Sequence, residues 1–222
     1  NGQLFGMKPS AFKTLCQDHN ISISSGHYLT GRSDESMKGT LINGWERSIT
    51  DAKTMGQEYM AIAWLHPTER ESLDQYKELV DMLNKAGEQC RKAGMHFAYH
   101  NHAFEFEEFG EIKPYHLLLD ETEDELVKME LDLYWIVKAG YDPVTYFKNY
   151  PGRFPLWHVK DMAKESGDFT EVGNGVINFN KIFKARKTAG LEHYFVEQDT
   201  SEDPMKSVEI SYKNIIQFPG AK

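Results

Sequence analysis

The chain has 222 residues, of which 40% are hydrophobic and 27% charged, so it can bury one sizeable core and is most simply a single domain over residues 1–222. Its net charge of −9 comes from 34 acidic and 25 basic residues and argues against a nucleic-acid partner. No run of about 18 apolar residues is present, which argues against a membrane-spanning helix. Cys16 and Cys90 predict no disulfide framework and favour a reducing compartment, so we expect a cytoplasmic protein. A processed or periplasmic form stays open, because the chain begins with Asn.

Hydrophobic periodicity predicts an alternation of helices and strands along the whole chain. Helices are predicted at 9–16, 44–55, 71–93, 142–150, 178–189 and 204–217, with Gly94 and Gly190 as C-terminal caps and a short helical or irregular insert at 114–125. Strands are predicted at 21–28, 58–65, 95–102, 127–135, 153–161 and 193–199. This alternation is typical of an α/β fold with a parallel sheet covered by helices.

The number of predicted strands is six, whereas a closed (β/α)8 TIM barrel has eight. The residues before the first helix cannot supply two more strands. We therefore expect an α/β, (β/α)8 TIM barrel that lacks its first two strands in this chain, a segment of about 40 to 60 residues at the usual spacing.

Four predicted strands end in a polar residue able to bind a metal or a sugar: His100, Asp132, His158 and Glu197. These residues are separated by 32, 26 and 39 positions, and one strand–helix unit of an eight-unit barrel takes about 31 residues. Active sites of such barrels are built at the carboxyl ends of the strands, so we expect the four residues to meet there.

The alternation of apolar and polar residues along two of the strands indicates to which face of the sheet these side chains point. In 127–135 the apolar residues alternate with a polar set that includes Asp132, and in 95–102 they alternate with a set that includes His100 and His102. If the apolar sets meet the helices, the polar sets point into the barrel.

A hard divalent ion prefers carboxylate and imidazole ligands, and it makes the C–H next to a carbonyl more acidic. Asp132, His158 and Glu197 suit such an ion, with either His100 or Glu105 as the fourth ligand. Two of them could instead be structural: Asp132 as an interior acid paired with Lys160, and His158 as a core histidine.

Chemistry next to a carbonyl also needs groups that move a proton. Glu105 and Glu197 are the candidate carboxylates. Lys160 has the same strand parity as His158, so we predict that it faces the same interior and steadies an oxyanion or, if desolvated, exchanges protons itself.

Several segments in combination carry a family resemblance: YHNHAFEF (99–106), ELDLYWIVKAGYDPVTYF (130–147), GRFPLWHVKDM (152–162), EVGNGVINF (171–179) and FVEQD (195–199). Over about residues 5–218 the chain resembles the sugar phosphate isomerase/epimerase group of the xylose isomerase-like barrel superfamily. The resemblance implies a (β/α)8 barrel, a divalent ion that is most simply Mn²⁺, with Mg²⁺, Co²⁺ or Zn²⁺ as alternatives, and chemistry on a carbonyl-containing sugar or inositol.

In the ketose epimerases of this superfamily, Glu, Asp, His and Glu from successive strand ends hold the metal. Asp132, His158 and Glu197 match the last three, whereas the first position holds His100, with Glu105 five residues later. The YHNH form is more similar to the inosose dehydratase and keto-glycoside branches. The resemblance therefore implies an isomerase or epimerase first, and a dehydratase or lyase second.

Candidate substrate contacts lie near other strand ends. His27 and Glu171 could bind sugar hydroxyl groups, Trp64 and Trp135 could stack on sugar C–H faces, and His102 could be a ligand, a substrate contact or a structural residue. The GNG segment at 173–175 is predicted to be a turn rather than a phosphate cradle.

Two other functions stay open, a carbohydrate-binding barrel without catalysis and a DNA-repair endonuclease of the same superfamily, the latter disfavoured by the charge of −9. We expect a small-molecule carbohydrate as partner, no nucleic acid and no membrane, with a homodimer as the assembly to test.

Overall fold

The computed structural model describes residues 4–221, which form an α/β fold of two compact units. The first unit contains residues 4–100 and 108–128, and the second contains 101–107 and 129–221. In the described residues no helix combines the length and the apolar character needed to cross a membrane. The prediction of a single domain stays a prediction.

The first unit has three parallel strands that lie side by side in chain order, β1 (Ser25–Leu29), β2 (Tyr59–Trp64) and β3 (His96–His100), with Ser25 opposite Tyr59 and Tyr59 opposite His96. Its elements in chain order are α1 (Pro9–Asp18), β1 (Ser25–Leu29), α2 (Trp45–Met55), β2 (Tyr59–Trp64), α3 (Leu73–Lys92), β3 (His96–His100) and α4 (Pro114–Glu121), with a 3₁₀ turn at Pro67–Glu69.

Helix α3 has capping residues at both ends and a glycine on its buried face. Ser72 and Gln75 form a capping box at its start, and Gly94 just beyond its end has φ 74°. Its buried stripe includes Gly87, where an added Cβ would lie 2.4 Å from the carbonyl oxygen of Leu126. A glycine is therefore needed at this point for the close approach of the two backbones.

The second unit also has three parallel strands, in the order β4 (Lys128–Asp132), β5 (Leu156–Val159) and β8 (His193–Val196), and Asp132 on β4 lies opposite His158 on β5. Its elements are β4 (Lys128–Asp132), α5 (Leu133–Lys138), α6 (Pro143–Asn149), β5 (Leu156–Val159), β6 (Asp161–Met162), β7 (Phe169–Thr170), α7 (Phe179–Lys184), α8 (Arg186–Ala189), β8 (His193–Val196) and α9 (Pro204–Ile215), with a 3₁₀ turn at Phe104–Phe106.

The six predicted strands are confirmed as parallel strands, and their bounds need correction. Predicted strand 127–135 ends at Asp132, because α5 begins at Leu133. Trp135 therefore lies on a helix and not on a strand. Predicted helix 178–189 is divided into α7 and α8, and the antiparallel pair β6–β7 was not predicted.

Strand β5 confirms the alternation on which the site prediction depends. Trp157 stacks on Phe147 of α6, with ring centroids 4.9 Å apart, and also contacts Phe183 of α7 at 5.5 Å. Since neighbouring residues of a strand point to opposite faces, His158 and Lys160 point away from these helices.

Candidate active site

Asp132 ends β4 and is also the N-cap of α5. Its Oδ1 atom accepts hydrogen bonds from the backbone N–H groups of Tyr134 (2.9 Å) and Trp135 (3.0 Å). Its Oδ2 atom lies 3.2 Å from Lys160 Nζ and 3.9 Å from His158 Nδ1. The helix start thus holds one carboxylate oxygen in place and directs the other toward the side chains of β5.

Asn101 adds a second restraint on this corner of the chain. Its Oδ1 atom accepts a hydrogen bond of 3.0 Å from the backbone N–H of Asp132, and both residues are fully buried. A buried amide that accepts this bond fixes the backbone from which the Asp132 carboxylate projects.

His158 lies between three carboxylates. Its Nδ1 atom is 2.5 Å from Glu197 Oε2 and faces Asp132 Oδ2, whereas its Nε2 atom is 3.4 Å from Glu130 Oε1. Burial by itself lowers the pKa of His158, but the contacts with Glu130 and Glu197 outweigh it and raise the pKa to about 10. The imidazole is therefore cationic at neutral pH when no metal is bound.

Lys160 is 3% exposed and its ammonium is surrounded by three carboxylates. Its Nζ atom lies 2.7 Å from Asp199, 3.0 Å from Glu197 and 3.2 Å from Asp132. Burial by itself lowers the pKa of Lys160, but the charges of Asp132, Glu197 and Asp199 raise it above its ordinary value. The side chain is thus held as a cation.

Glu197 follows directly after β8, where its backbone N–H donates to the carbonyl oxygen of Val159 at 3.2 Å. Burial by itself raises the pKa of Glu197, but the hydrogen bond and charge of His158 and the charge of Lys160 lower it far below the ordinary value. The carboxylate is therefore ionised, half-buried and flanked by two cations.

The donor set of Asp132, His158 and Glu197 fits a hard or borderline divalent ion, because it offers carboxylate oxygens and an imidazole nitrogen and no thiolate. Metal–ligand distances of about 2.0 to 2.3 Å place neighbouring donors about 3 Å apart. The distances of 2.5 and 3.9 Å from His158 Nδ1 to the two carboxylates lie on either side of that value. These three residues would hold the ion after His158 loses its proton.

The histidines predicted for the site from the earlier strands lie in the first unit. His100 is the last residue of β3 and is buried, and its ring centroid is 5.3 Å from that of the exposed His27 on β1. His100 ends its strand as predicted, whereas His27, which was predicted to end its strand, lies in the middle of β1. The roles of His100 as the fourth ligand and of His27 as a substrate contact stay predictions.

The predicted carboxylate Glu105 lies on the 3₁₀ turn Phe104–Phe106 and is fully buried. Its Oε2 atom accepts a hydrogen bond of 2.8 Å from the backbone N–H of His102. This bond stabilises the turn that follows the YHNH segment. The roles of Glu105 in metal binding and in proton transfer stay predictions.

Two predicted aromatic contacts, His102 and Trp135, come together in the second unit. Their ring centroids are 5.5 Å apart, and Phe169 of β7 packs edge-on against Trp135 at 5.7 Å. Trp64, the last residue of β2, is 41% exposed and lies beneath the guanidinium of Arg70. Their contact with a sugar stays a prediction.

Glu171 has structural contacts in addition to its predicted role. Its Oε1 atom accepts a hydrogen bond of 2.7 Å from Ser207 Oγ, which connects the loop after β7 to α9. It also lines a cavity of about 670 Å³ together with Phe169, Gln198 and Lys206, among others. Phe169, one of the lining residues, has its ring centroid 5.9 Å from Lys160 Nζ of the candidate site.

The GNG segment is a turn built around a buried carboxylate, as predicted. Asp161 Oδ2 accepts hydrogen bonds from the backbone N–H groups of Gly173 (2.8 Å) and Gly175 (3.0 Å), and Oδ1 accepts one from Ile177 (3.1 Å). An added Cβ at Gly175 would lie 2.3 Å from Asp161 Oδ1. The amides that a phosphate would need are therefore occupied by a side chain of the same unit.

Sequence reasoning missed four residues that organise the site: Asn101, Glu130, Asp161 and Asp199. Two of them carried a usable signal, because Glu130 has the strand parity of Asp132, and Asp199 lies two residues after Glu197. The roles of Asn101 and Asp161 depend on hydrogen bonds to distant backbone groups, which no local pattern indicates.

Comparisons with known proteins give these observations a family. The family model described as xylose isomerase-like TIM barrel matches residues 3–211. Inosose dehydratase of Bacillus cereus (strain AH820) is 28% identical over 149 residues, which are 59% of this chain and 49% of that protein. The chain thus spans about half the length of the curated relatives it matches.

Solved structures resemble almost the whole chain. A sugar phosphate isomerase/epimerase from Parabacteroides distasonis ATCC 8503 has a TM-score of 0.82 and 30% identity, covering 97% of this chain and 78% of that one. The IOLI protein, whose crystal contains a bound zinc atom, has a TM-score of 0.77 at 16% identity over 97% of this chain and 82% of that one, a likeness of fold. The chain belongs to the xylose isomerase-like TIM barrel family.

Proposed function

We propose that the chain is a metal-dependent sugar isomerase or epimerase that transfers a proton next to the carbonyl of a sugar, a sugar phosphate or an inositol derivative. The observation that carries the proposal is the gathering of Asp132, His158, Lys160 and Glu197 around one point of the second unit. The likeness to the isomerase/epimerase of Parabacteroides distasonis supports this reading.

A divalent ion, for which we propose Mn²⁺ first, would be held by Asp132, His158 and Glu197 and would polarise the substrate carbonyl. We assign Glu197 as the base because its carboxylate is ionised at neutral pH and half-buried. Lys160, 3.0 Å away, also lowers the proton affinity of this carboxylate, so the ion would have to make the substrate C–H acidic. Its conjugate acid then returns the proton to the neighbouring carbon on the same face, which gives the isomer, whereas epimerisation at the same carbon needs a second acid on the other face, for which Glu105 stays the predicted candidate.

Lys160 serves as the cation that stabilises the developing oxyanion. Because three carboxylates raise the pKa of Lys160, its ammonium stays protonated and donates hydrogen bonds throughout the reaction. Of the two roles predicted for this lysine, the electrostatic one is therefore favoured over proton exchange. Asp199, at 2.7 Å, keeps the ammonium directed into the site.

A metal-dependent dehydratase acting on an inosose or a 3-keto-glycoside is the second candidate, since several of the matched curated relatives are inosose dehydratases. Both reactions begin with removal of a proton next to a carbonyl. They differ in the next step, because dehydration expels a hydroxyl group whereas isomerisation returns the proton. A carbohydrate-binding barrel without catalysis is the third.

One experiment separates the three candidates. The protein loaded with Mn²⁺ is incubated in D₂O with a panel of ketoses, inososes and 3-keto-glucosides. Deuterium incorporation and new epimers are followed by NMR, and enone formation is followed by ultraviolet absorbance. Exchange with epimer formation supports the isomerase, and enone formation supports the dehydratase.

Variants make the result specific to the site. Glu197→Gln is expected to remove both exchange and product, while Glu165→Gln, a change in an exposed turn, leaves them unaltered. Saturable sugar binding without exchange for any substrate would favour the binding barrel. Equal exchange in wild type and Glu197→Gln would refute the assignment of the base.

A further inference from the structure

Glu130 is a fully buried carboxylate that no part of the proposed reaction uses. It lies on β4 two residues before Asp132, so both side chains point to the same face of the strand. Burying an ionised carboxylate costs several kcal/mol unless a partner compensates it. An apolar residue at this position would be less costly, which suggests that the carboxylate has a role other than packing.

The contact that gives Glu130 a role is the one with His158. Glu130 Oε1 lies 3.4 Å from His158 Nε2, on the side of the ring opposite to Nδ1. Nδ1 faces the other two carboxylates, at 2.5 Å from Glu197 and 3.9 Å from Asp132. Nε2 thus faces Glu130, whereas Nδ1 faces the two carboxylates of the candidate metal site.

We propose that Glu130 is a positioning residue that holds His158 with its proton on Nε2 and its Nδ1 lone pair directed at the metal site formed with Asp132 and Glu197. This inference rests on the proposed metal-dependent function. A histidine ligand must offer an unprotonated nitrogen, and a carboxylate behind the ring selects the tautomer that does so and fixes the ring orientation.

A structural role and a positioning role predict opposite results. Replacing a whole buried ion pair by apolar residues is often neutral or stabilising, whereas removing one partner of an isolated pair is strongly destabilising. Removal of Glu130 should be less destabilising than that, because His158 keeps Glu197 and Asp132 as neighbours. If Glu130 positions His158, its removal should leave the fold intact and weaken metal binding. If Glu130 only supports the fold, its removal should reduce stability and leave the metal affinity of the folded protein unchanged.

The test is titration calorimetry with Mn²⁺ on the full chain, combined with urea unfolding of the same samples. Glu130→Gln keeps a neutral acceptor, whereas Glu130→Met removes the acceptor but not the volume. Once each affinity is corrected, from its dependence on pH, for the proton that His158 releases, we expect Glu130→Gln to bind Mn²⁺ roughly 10-fold more weakly and Glu130→Met up to roughly 100-fold more weakly, the range found when partners behind a ligand are lost. Glu165→Gln and Glu165→Met, in an exposed turn, are the matched controls and should bind as wild type does.

A spectroscopic measurement adds the tautomer directly. With ¹⁵N-labelled histidine and Zn²⁺ bound, the His158 ring of the wild type should carry its proton on Nε2, and Glu130→Met should populate the other form or lose the signal pattern of a single tautomer.

If wild type binds Mn²⁺ and both Glu130 variants bind it equally well, Glu130 has no positioning role and the proposed function stands. If wild type binds no divalent ion, both proposals are overturned. If Mn²⁺ affinity falls only in samples that have lost the folded state, the positioning role is overturned. If Glu130→Met does not fold, the result for Glu130→Gln decides between the two roles.

Discussion

Substitution of Asp132 can separate its two tasks, because its two oxygens have different partners. Oδ1 caps α5 through the N–H groups of Tyr134 and Trp135, and Oδ2 faces Lys160 and His158. Asn is as good an N-cap as Asp, so Asp132→Asn keeps the cap and removes the charge, whereas Asp132→Ala removes both. We expect Asp132→Ala to be less stable than Asp132→Asn by about 1 kcal/mol, the usual contribution of an N-cap.

The charge contribution can be bounded from the distances. At 3.2 Å and an effective dielectric constant of 20, the Coulomb attraction of Asp132 and Lys160 is about 5 kcal/mol, and most of it is offset by the cost of burying the carboxylate. Lys160 keeps Glu197 and Asp199 as partners. Asp132→Asn should therefore lower the free energy of unfolding by less than the loss of about 3 to 5 kcal/mol that follows from breaking an isolated buried ion pair.

The assay is urea unfolding of both variants, followed by circular dichroism, together with calorimetric titration of Mn²⁺. Both variants should lose Mn²⁺ affinity to a similar extent. Asp142 gives the matched control, because it caps α6 through the N–H of Val144 and pairs with Lys181 instead. Its Asn and Ala variants should show the same difference in stability and normal Mn²⁺ binding. An Asp132→Ala protein as stable as Asp132→Asn would refute the cap, and wild-type Mn²⁺ affinity in Asp132→Asn would refute the ligand.

Three further predictions concern the lysine, the histidine and the packing of α3. Lys160→Met should lower kcat by about 10² or more at full metal occupancy, with Lys164→Met as the control, and unchanged turnover would remove the lysine from the mechanism. Because contacts with carboxylates raise the pKa of His158 to about 10, a metal must displace its proton, so Mn²⁺ affinity should rise about tenfold per pH unit between about pH 6 and 9. A pH-independent affinity would contradict this. Gly87→Ala should destabilise the protein by about 1 to 3 kcal/mol in urea unfolding, because its Cβ would lie 2.4 Å from Leu126 O, and a gain in stability would show that the two backbones separate easily.

The sequence alone determined the order of the elements and the direction of the side chains on β5. Strand geometry makes alternate side chains point to the same face. It therefore follows without tertiary information that His158 and Lys160 share one face of the strand and that Trp157, which packs against helices, points to the other. Gly94 likewise located the C-terminal end of α3, because a glycine cap acts through neighbouring residues.

Only the tertiary structure decided where β4 ends and which groups surround the site. In the segment after Asp132, Leu133, Tyr134 and Ile136 are buried and Trp135 and Val137 are half-buried, so its hydrophobicity does not distinguish a strand from a short helix. The change from strand to helix occurs at Asp132, whose carboxylate caps α5. The contacts of Lys160 with Asp199 and of His158 with Glu130 join residues that are 39 and 28 positions apart. Such contacts depend on the register between paired strands and on the path of the loops, and a local pattern contains neither.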